Sequence, residues 1–430
     1  MNRPLRGRID THLAIAAAAG IAVTLGLAAC GGGGGNGPGS TELNLVIGNS
    51  LPLTGSSKSL GESGRKASAL ALARIKQAVG SERADHNVRI VNEDQGSNPG
   101  SAVETSRKLV GDDGATCLTG PWSSEAVAEA AHDVAVPGKV LEISPVATGE
   151  NVAELSDHDL VDSTALPTSA EGEALAKAIE QDLGGAQGHT VNVVATTDTD
   201  SNAISQDFIE TWQDDDGTVG RQIVLPSQPS LLSSNSPDAV VLVDDPVGFA
   251  QLAPTLAGSG WDPATAWGND RLASPGLPGE VGARAVEGMR ALAPGAPSGE
   301  GASSAFDDAF RSAPPRDVRE APFAAQEFDA TILCYLAAVA AGSTDGQKMA
   351  DKLIDITAPG GTQYSWQQLP DAIKALEDGE DIDYTGASGP LDMDVHGDPT
   401  KGVFAIYRYA PSGLKVVGEV PVEKPNPATP

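Results

Sequence analysis

Aromatic residues, cysteine and positive charge are all scarce in this 430-residue sequence. Phe, Trp and Tyr together make up 4% of the residues, which disfavours a large aromatic binding platform. The 28 Lys and Arg residues stand against 58 Asp and Glu residues, so the formal net charge is −30. Nucleic acid and anionic lipid head groups repel such a chain, and we do not expect it to bind either of them.

The sequence also lacks the common short motifs of hydrolases and metalloproteins. It contains no Gly-x-Ser-x-Gly, His-Glu-x-x-His or Cys-x-x-Cys, and its six histidines do not have the spacing of metal ligands. Ser63 and Lys66 form the Ser-x-x-Lys pattern of penicillin-interacting serine enzymes, but the companion Ser-Asp-Asn and Lys-Thr-Gly motifs are absent. We therefore predict no enzymatic activity, cofactor or metal, and keep a serine hydrolase as a remote alternative.

A long apolar run occurs at the N-terminus, where it indicates export. Arg3, Arg6 and Arg8 form a basic front. The apolar residues 13–29 behind them are few for a stable bilayer span, which needs about 20. We predict that residues 1–29 are a signal peptide, and the sequence after them has no further apolar run of membrane length.

The end of this run resembles a bacterial lipobox, the motif at which a cysteine is acylated and becomes the new N-terminus. Leu27, Ala28 and Ala29 precede Cys30, and residues 30–41 then form a glycine-rich tether. A plain signal peptide or a short membrane anchor is the alternative. The lipobox predicts an extracytoplasmic protein that is held at a bacterial membrane only by a lipid on Cys30.

From residue 43 onward, short runs rich in β-branched residues alternate with longer amphipathic runs. The first series predicts strands at 43–48, 88–92, 115–119 and 139–143, separated by helices at 63–79, 102–110 and 125–136. A second series runs from a capping-box pattern at Thr168 and Glu171 to a strand at 265–268. Further helices are predicted at 303–311, 321–341, 346–356 and 366–376, and closing strands at 403–409 and 415–420. The alternation predicts an α/β fold with parallel sheets covered by helices on both faces.

Two cysteines remain besides Cys30. Cys117 falls in a predicted strand, and Cys334 falls in a predicted helix. In an exported protein such a pair can form a disulfide. Nothing in the sequence shows that the two residues come within bridging distance, and two buried thiols explain the pattern equally well. Both states stay open at this point.

Several short segments resemble type I periplasmic binding proteins, in particular the branched-chain amino-acid (Leu/Ile/Val-type) substrate-binding proteins of ABC importers. Their order and spacing extend over nearly the whole chain after the tether, which makes the resemblance specific. The segments are 47–55 (Ile-Gly-Asn-Ser-Leu-Pro-Leu-Thr-Gly), 93–99 (Glu-Asp-Gln-Gly-Ser-Asn-Pro), 120–124 (Gly-Pro-Trp-Ser-Ser), 143–148 (Ile-Ser-Pro-Val-Ala-Thr), 328–330 (Phe-Asp-Ala), 341–346 (Ala-Gly-Ser-Thr-Asp-Gly) and 386–391 (Gly-Ala-Ser-Gly-Pro-Leu).

The resemblance implies two Rossmann-like lobes joined by a three-strand hinge that closes on a small ligand. We assign residues 42–163 and 289–400 to the first lobe, 164–288 and 401–421 to the second, and 422–430 to a proline-rich tail. The implied function is capture of a small polar ligand, an amino acid or a related compound, by a monomer that delivers it to an ABC permease. A sensor that reports its ligand to a membrane signalling partner is the alternative.

Ligands of open α/β sheets collect beyond the carboxyl ends of the strands, so the segments that follow strands are candidates for the site. In the family, a serine of the 120–124 segment and main-chain groups of the 143–148 segment hold the carboxylate of an amino acid. The matching residues are Ser124 with its neighbour Ser123, and Val146, Ala147 and Thr148. Ser124 alternatively serves only as a helix N-cap. Leu60 falls where relatives place a side chain against the apolar end of the ligand.

Asp270 stands where the family has an acidic ligand-binding residue, so we expect it to pair with the ammonium group of the ligand. Relatives usually have a Tyr-Gly pair after the strand at 191–196, whereas residues 198–203 here contain neither residue and leave Asn202 as the candidate. The aspartates that follow predicted second-lobe strands suggest an acidic wall for a ligand with one or more cationic groups. These aspartates are Asp198, Asp200, Asp244, Asp245 and Asp270. The alternative is that most of them are simply solvated.

Overall fold

The computed structural model describes residues 42–96, 98–153, 155–226, 235–256, 260–299 and 301–424. These residues all belong to one compact unit. The predicted signal peptide, Cys30, the predicted tether and residues 425–430 lie outside the described residues.

Five parallel strands form the first sheet: β1 (Leu43–Leu51), β2 (His86–Asp94), β3 (Cys117–Thr119), β4 (Leu141–Ser144) and β5 (Val161–Ser163). Their order across the sheet is β2-β1-β3-β4-β5. In the register, Ile47 of β1 lies between Ile90 of β2 and Cys117 of β3. Ile47 and Cys117 are fully buried, as expected for central strands of a parallel sheet that is covered on both faces.

The helices that follow these strands are α1 (Lys58–Glu82), α2 (Pro99–Gly111), α3 (Ser124–Ala130), α4 (Val136–Gly138) and α5 (Glu150–Ala153). Asn98 caps α2, because its side chain accepts a hydrogen bond from the amide of Gly100. The predicted helix at 125–136 is instead α3, a π-helical turn over Ala131–Ala135, and α4.

The second sheet repeats this arrangement with β6 (Thr190–Ala195), β7 (Thr218–Val224), β8 (Ala239–Val243), β9 (Ala266–Gly268) and β10 (Arg290–Pro294). These five strands are parallel and have the order β7-β6-β8-β9-β10, the same relative order as in the first sheet. Their helices are α6 (Glu171–Leu183), α7 (Thr199–Asp214), α8 (Pro246–Leu256), α9 (Leu277–Val281) and α10 (Ala283–Val286). Gly184 ends α6 in the left-handed conformation, with φ of 82°.

After β10 the chain returns to the first lobe. It forms α11 (Ala302–Ser312), α12 (Ala324–Ala341), α13 (Gly346–Thr357) and α14 (Leu369–Glu377), with a small sheet of β11 (Thr362–Ser365) and β12 (Ile382–Thr385). Among the described helices, α12 has the length and apolar composition of a membrane span. Nearly all of its residues are buried, and it packs on α1 and the first sheet as a core helix.

Two antiparallel strands, β13 (Lys401–Ala410) and β14 (Gly413–Glu423), extend the second sheet beyond β10. This corrects two predicted boundaries. Strand β10 belongs to the second sheet and not to the first lobe, because it pairs with β9 and β13. Val422 and Glu423, which we placed in the tail, are the last residues of β14 and pair with Gly402 and Lys401.

The α/β class, with two lobes built on parallel sheets, is confirmed. The chain passes between the lobes after β5, after β10 and after β12. In sheets of this strand order, ligands bind where neighbouring strands send their connections to opposite sides. That point lies between β1 and β3 in the first sheet and between β6 and β8 in the second.

Cys117 of β3 and Cys334 of α12 form a disulfide. The two residues are 217 positions apart, and both are fully buried in the first-lobe core. The bridge therefore joins the two separate chain segments that build this lobe.

We expect that replacing both cysteines, Cys117→Ala with Cys334→Ala, lowers the free energy of unfolding by about 2–5 kcal/mol, because the bridge closes a very long loop in the unfolded chain. Urea denaturation of the oxidised protein and of the double variant measures this loss. Thiol titration of the denatured native protein is the control, and two reactive thiols from this pair would contradict the bridge.

Candidate ligand-binding site

A cavity of about 360 Å³ lies between the carboxyl ends of the two sheets and is lined from both lobes. This volume is at the small end of the range for small-molecule sites, which is about 300–1,000 Å³. Of the residues predicted to bind ligand, Leu60, Ser123, Ser124, Val146, Thr148 and Asp270 line this cavity. Ala147 and Asn202 are not among the lining residues.

The two serines after β3 have different partners. Ser123, and not Ser124, caps α3, because its Oγ accepts a hydrogen bond from the amide of Ala126 at 3.2 Å. Ser124 Oγ accepts from the amide of Gly149 at 3.0 Å and so links the β3 loop to the β4 loop. The capping alternative for Ser124 is therefore wrong, and its hydroxyl proton is left to donate.

The loop after β4 reaches the second lobe. Thr148 and Thr168 are joined by a hydrogen bond between their hydroxyls at 3.1 Å and by one from Thr168 N to Thr148 O at 2.6 Å. Both threonines line the cavity. Ala147, which lies between Val146 and Thr148 in the sequence, does not line the cavity. It is 1% exposed and packs in an apolar cluster with residues of α3 and β5.

Asp270 follows β9 and is backed by Glu171 at the start of α6. Glu171 is 1% exposed, and its Oε1 accepts a hydrogen bond from the amide of Asp270 at 2.6 Å. This corrects the capping box, because neither Thr168 nor Glu171 makes a side-chain cap for α6. Burial raises the pKa of Asp270 to about 6 and that of Glu171 well above its usual value; nearby Asp200 adds to the rise for Asp270, and Asp270 adds to the rise for Glu171.

Arg271 lines the cavity next to Asp270 and was missed by the sequence reasoning. Its Nη2 donates to Ser201 Oγ and lies 3.4 Å from Asp198 Oδ1. Burial alone raises the pKa of Asp198, but hydrogen bonds from Thr196 and Ser201 and the nearby guanidinium lower it to about 2. The only signal for Arg271 was its position directly after a strand-end aspartate.

The predicted acidic wall is only partly formed. Asp200, Asp245 and Asp270 line the cavity, whereas Asp198 is paired with Arg271 and Asp244 is fully buried below the surface. Asn202 is turned away, and its side-chain amide donates to Thr197 O at 3.1 Å. Within the described part of the chain, no group of three or more His, Cys, Asp or Glu residues has the arrangement of a metal site.

The two lobes touch around the cavity. A Cβ added to Gly149 of the first lobe would lie 2.9 Å from Asp200 Oδ1 of the second. A Cβ added to Gly276 of the second lobe would lie 3.0 Å from Ser56 O of the first. Both distances are shorter than normal Cβ contacts, so glycine at these positions lets the lobes close on each other.

The Ser63 and Lys66 pair has a structural role away from the cavity. Ser63 Oγ accepts a hydrogen bond from the amide of Ala321 at 3.1 Å. Lys66 Nζ donates to Val318 O at 2.9 Å and lies 4.4 Å from the centre of the Phe310 ring. Both side chains hold the segment before α12 against α1, and neither lines the cavity.

Residues 44–394 match the family model described as periplasmic binding protein. The chain belongs to this family. Its members are solute-binding proteins rather than enzymes, and membership implies an extracytoplasmic location. No curated protein matches the chain significantly in sequence.

Solved structures with the same fold include substrate-binding proteins of branched-chain amino-acid ABC transporters. The leucine-binding protein LivK of Thermotoga maritima has a TM-score of 0.66 at 19% identity, and the match covers 88% of this chain and 99% of that one. LivJ of Streptococcus pneumoniae in complex with isoleucine has a TM-score of 0.68 at 18% identity, with 88% and 99% covered. A solute-binding protein of R. palustris in complex with benzoate has a TM-score of 0.62 at 20% identity, and the match covers 89% of this chain and 98% of that one. The type I periplasmic binding fold is thus confirmed for this binding protein.

We expect Asp270→Asn to raise the melting temperature of the ligand-free binding protein near neutral pH. The carboxyl has a pKa of about 6 in the folded protein and 3.8 in the unfolded chain, so its ionised form opposes folding as the pH rises through this window. A gain of about 2–4 °C corresponds to 1 kcal/mol in a domain of 150–250 residues.

Differential scanning calorimetry at neutral pH and at about pH 4 measures this effect, and the gain should disappear at the lower pH, where the folded carboxyl is protonated. The exposed Asp381→Asn is the matched control. An equal gain at both pH values would contradict the assignment of the effect to ionised Asp270.

Proposed function

We propose that this protein captures an amino acid or a closely related compound between its lobes and delivers it to an ABC permease. The observation that carries the proposal is the shared cavity, which has neutral hydrogen-bonding groups on one wall and carboxylates on the other. An amino acid carries one anionic and one cationic group, and a site with this division matches both.

The first-lobe wall suits a carboxylate. Ser123, Ser124 and Thr148 offer hydroxyls, and the described first-lobe residues that line the cavity include one carboxylate, Glu125. Hydroxyl donors stabilise an anion without a full positive charge. This supports the assignment of Ser123, Ser124, Val146 and Thr148 to the carboxylate of the ligand.

The second-lobe wall suits an ammonium group. Among the described residues that line the cavity, Arg271 is the only cation, and its charge is shared between Asp198, 3.4 Å away, and the neighbouring carboxylates, which include Asp270. Asp270 lines the cavity as a half-buried carboxylate, and burial raises its pKa to about 6 despite Arg271, so an incoming ammonium group supplies further counter-charge. Asp200 and Asp245 add to the negative potential of this wall.

Closure follows from this division of contacts. The ligand contacts both walls only when the lobes are together, so it selects the closed form over the open one. The lobe contacts at Gly149 and Gly276 describe such a closed form. We infer that the closed monomer is the form presented to the permease, at a membrane to which Cys30 anchors it by a lipid.

We expect calorimetric titration to show binding of at least one L-amino acid, with its amide and its deaminated acid each binding more weakly. Asp270→Asn should weaken binding by about 10-fold to 100-fold, because a hydrogen bond to a charged group contributes about 1.5–3 kcal/mol. Asp381→Asn should bind like the native protein. Binding of amine-free acids as tightly as amino acids would overturn the assignment of Asp270.

The pKa of Asp270 predicts that the affinity measured in this titration depends on pH. Asp270 must be ionised to pair with an ammonium group, and its pKa is about 6. Affinity should therefore stay level above neutral pH and fall as the pH drops below about 6, towards tenfold per pH unit. The Asp270→Asn variant is the control, because its affinity should not show this fall.

We expect Cys30→Ala to move the protein from the membrane fraction to the soluble fraction and to reduce uptake of the ligand by whole cells. Fractionation, palmitate labelling and uptake of radiolabelled ligand measure the two effects. The matched control is a Ser81→Ala strain, which keeps Cys30. Normal uptake in a strain that lacks the protein altogether would favour the signalling alternative over delivery to a permease.

A further inference from the structure

We propose that Trp122, supported by Phe323, forms an aromatic subsite of the cavity and that the ligand is an amino acid with an aromatic side chain. The inference rests on the proposed function, because it names the side chain of the amino acid that the polar walls hold. Both rings line the cavity on the first-lobe side, beside Ser123 and Ser124.

The two rings have the geometry of an interacting aromatic pair. Their centres are 6.5 Å apart, and their planes meet at 78°, which is an edge-to-face contact. Edge-to-face and offset arrangements place the positive edge of one ring on the negative face of another. A third ring in the cavity extends this pattern, whereas an aliphatic side chain gains only apolar contact.

Trp122 is held in place from behind. A Cβ on Gly64 of α1 would lie 2.4 Å from Trp122 Cζ2, so the indole rests directly on the backbone of that helix. The amide of Trp122 donates to Gln95 Oε1 at 3.1 Å, and Gln95 also lines the cavity. The ring is therefore positioned before the ligand arrives, and little side-chain freedom is lost on binding.

Phe323 adds an independent sign of a functional position. It has φ of +68°, a left-handed conformation that is rare for a bulky side chain and costs about 1–3 kcal/mol. The ring is 6% exposed and packs in a cluster with alanines of the interlobe region, which are Ala165, Ala273, Ala291 and Ala293. The strained backbone keeps the ring between these alanines and Trp122.

In the proposed arrangement the polar groups of the cavity bind the charged groups of the ligand, so the apolar part of the lining is available for the ligand's side chain. Ser124 and Thr148 take the carboxylate and Asp270 takes the ammonium group in the proposed arrangement. The remaining apolar lining includes Leu60, Val146 and Ile204 besides the two rings. A ring bound here is surrounded by aromatic and aliphatic carbon, as a buried aromatic side chain requires.

Competition between L-phenylalanine and L-leucine tests the proposal by calorimetry. The native protein should bind phenylalanine about tenfold more tightly than leucine. Trp122→Leu should remove most of this preference, because Leu replaces the aromatic face with aliphatic carbon. Tryptophan fluorescence gives a second readout, since a change on phenylalanine binding should be lost in Trp122→Phe.

Two glycines of α1 that do not themselves line the cavity provide a matched pair of substitutions. Gly64→Ala pushes on the indole, so the preference for phenylalanine should fall by about threefold or more. Gly80→Ala meets no atom within 4 Å and should leave the preference unchanged. Both variants add one helix-favouring methyl group to the same helix, which separates the effect on Trp122 from a general effect on stability.

The outcomes separate this inference from the proposed function. Amino-acid binding with a preference for leucine or alanine, or a preference that Trp122→Leu leaves unchanged, overturns the aromatic subsite and leaves the proposed function standing. Failure of every amino acid to bind overturns both.

Discussion

The closed site depends on acidic side chains that are buried or half-buried where the two lobes meet. Asp270 follows β9 and lines the cavity, and Glu171, the first residue of α6, lies behind it. Burial raises the pKa of both carboxyls. Ionised carboxyls in such a place oppose folding unless a cation neutralises them. Arg271 is beside them, but it is shared with Asp198 and Ser201. The second lobe therefore presents negative charge to the cavity, and in the proposed function a cationic group of the ligand neutralises it.

The first lobe is cross-linked by contacts between segments that are distant in sequence. Its two chain segments are joined by the disulfide between β3 and α12, and Ser124 ties the β3 loop to the β4 loop. Trp122 rests on Gly64 and hydrogen-bonds to Gln95. These contacts hold the hydroxyls and rings in place without a ligand, so in the proposed mechanism the free energy of binding is available for closing the second lobe onto the first.

Local patterns predicted most helices and strands but assigned several polar residues to the wrong partners. Thr168 and Glu171 have the spacing of a capping box, yet their side chains face Thr148 and Asp270 of other elements. Ser124 has the sequence context of an N-cap, but Ser123 takes that role. Hydrogen bonds between residues close in sequence compete with tertiary partners, and only the folded arrangement shows which one is made. Strand β10 was missed for a related reason, because its ladder partners β9 and β13 lie far away along the chain.

The sequence by itself determined the α/β class, the order of most elements, the predicted export and anchoring signal, and the strand-end segments where the cavity lies. Alternating periodicity and segment order are local properties, so they can be read without coordinates. The tertiary structure alone decided that Cys117 meets Cys334, that Arg271 and Trp122 face the cavity, and that Asp244 does not. Each of these depends on where two distant segments come together, and neither composition nor spacing encodes that position directly. The acidic wall shows the difference, because five similar strand-end aspartates become three cavity residues, one ion-pair partner and one buried carboxyl.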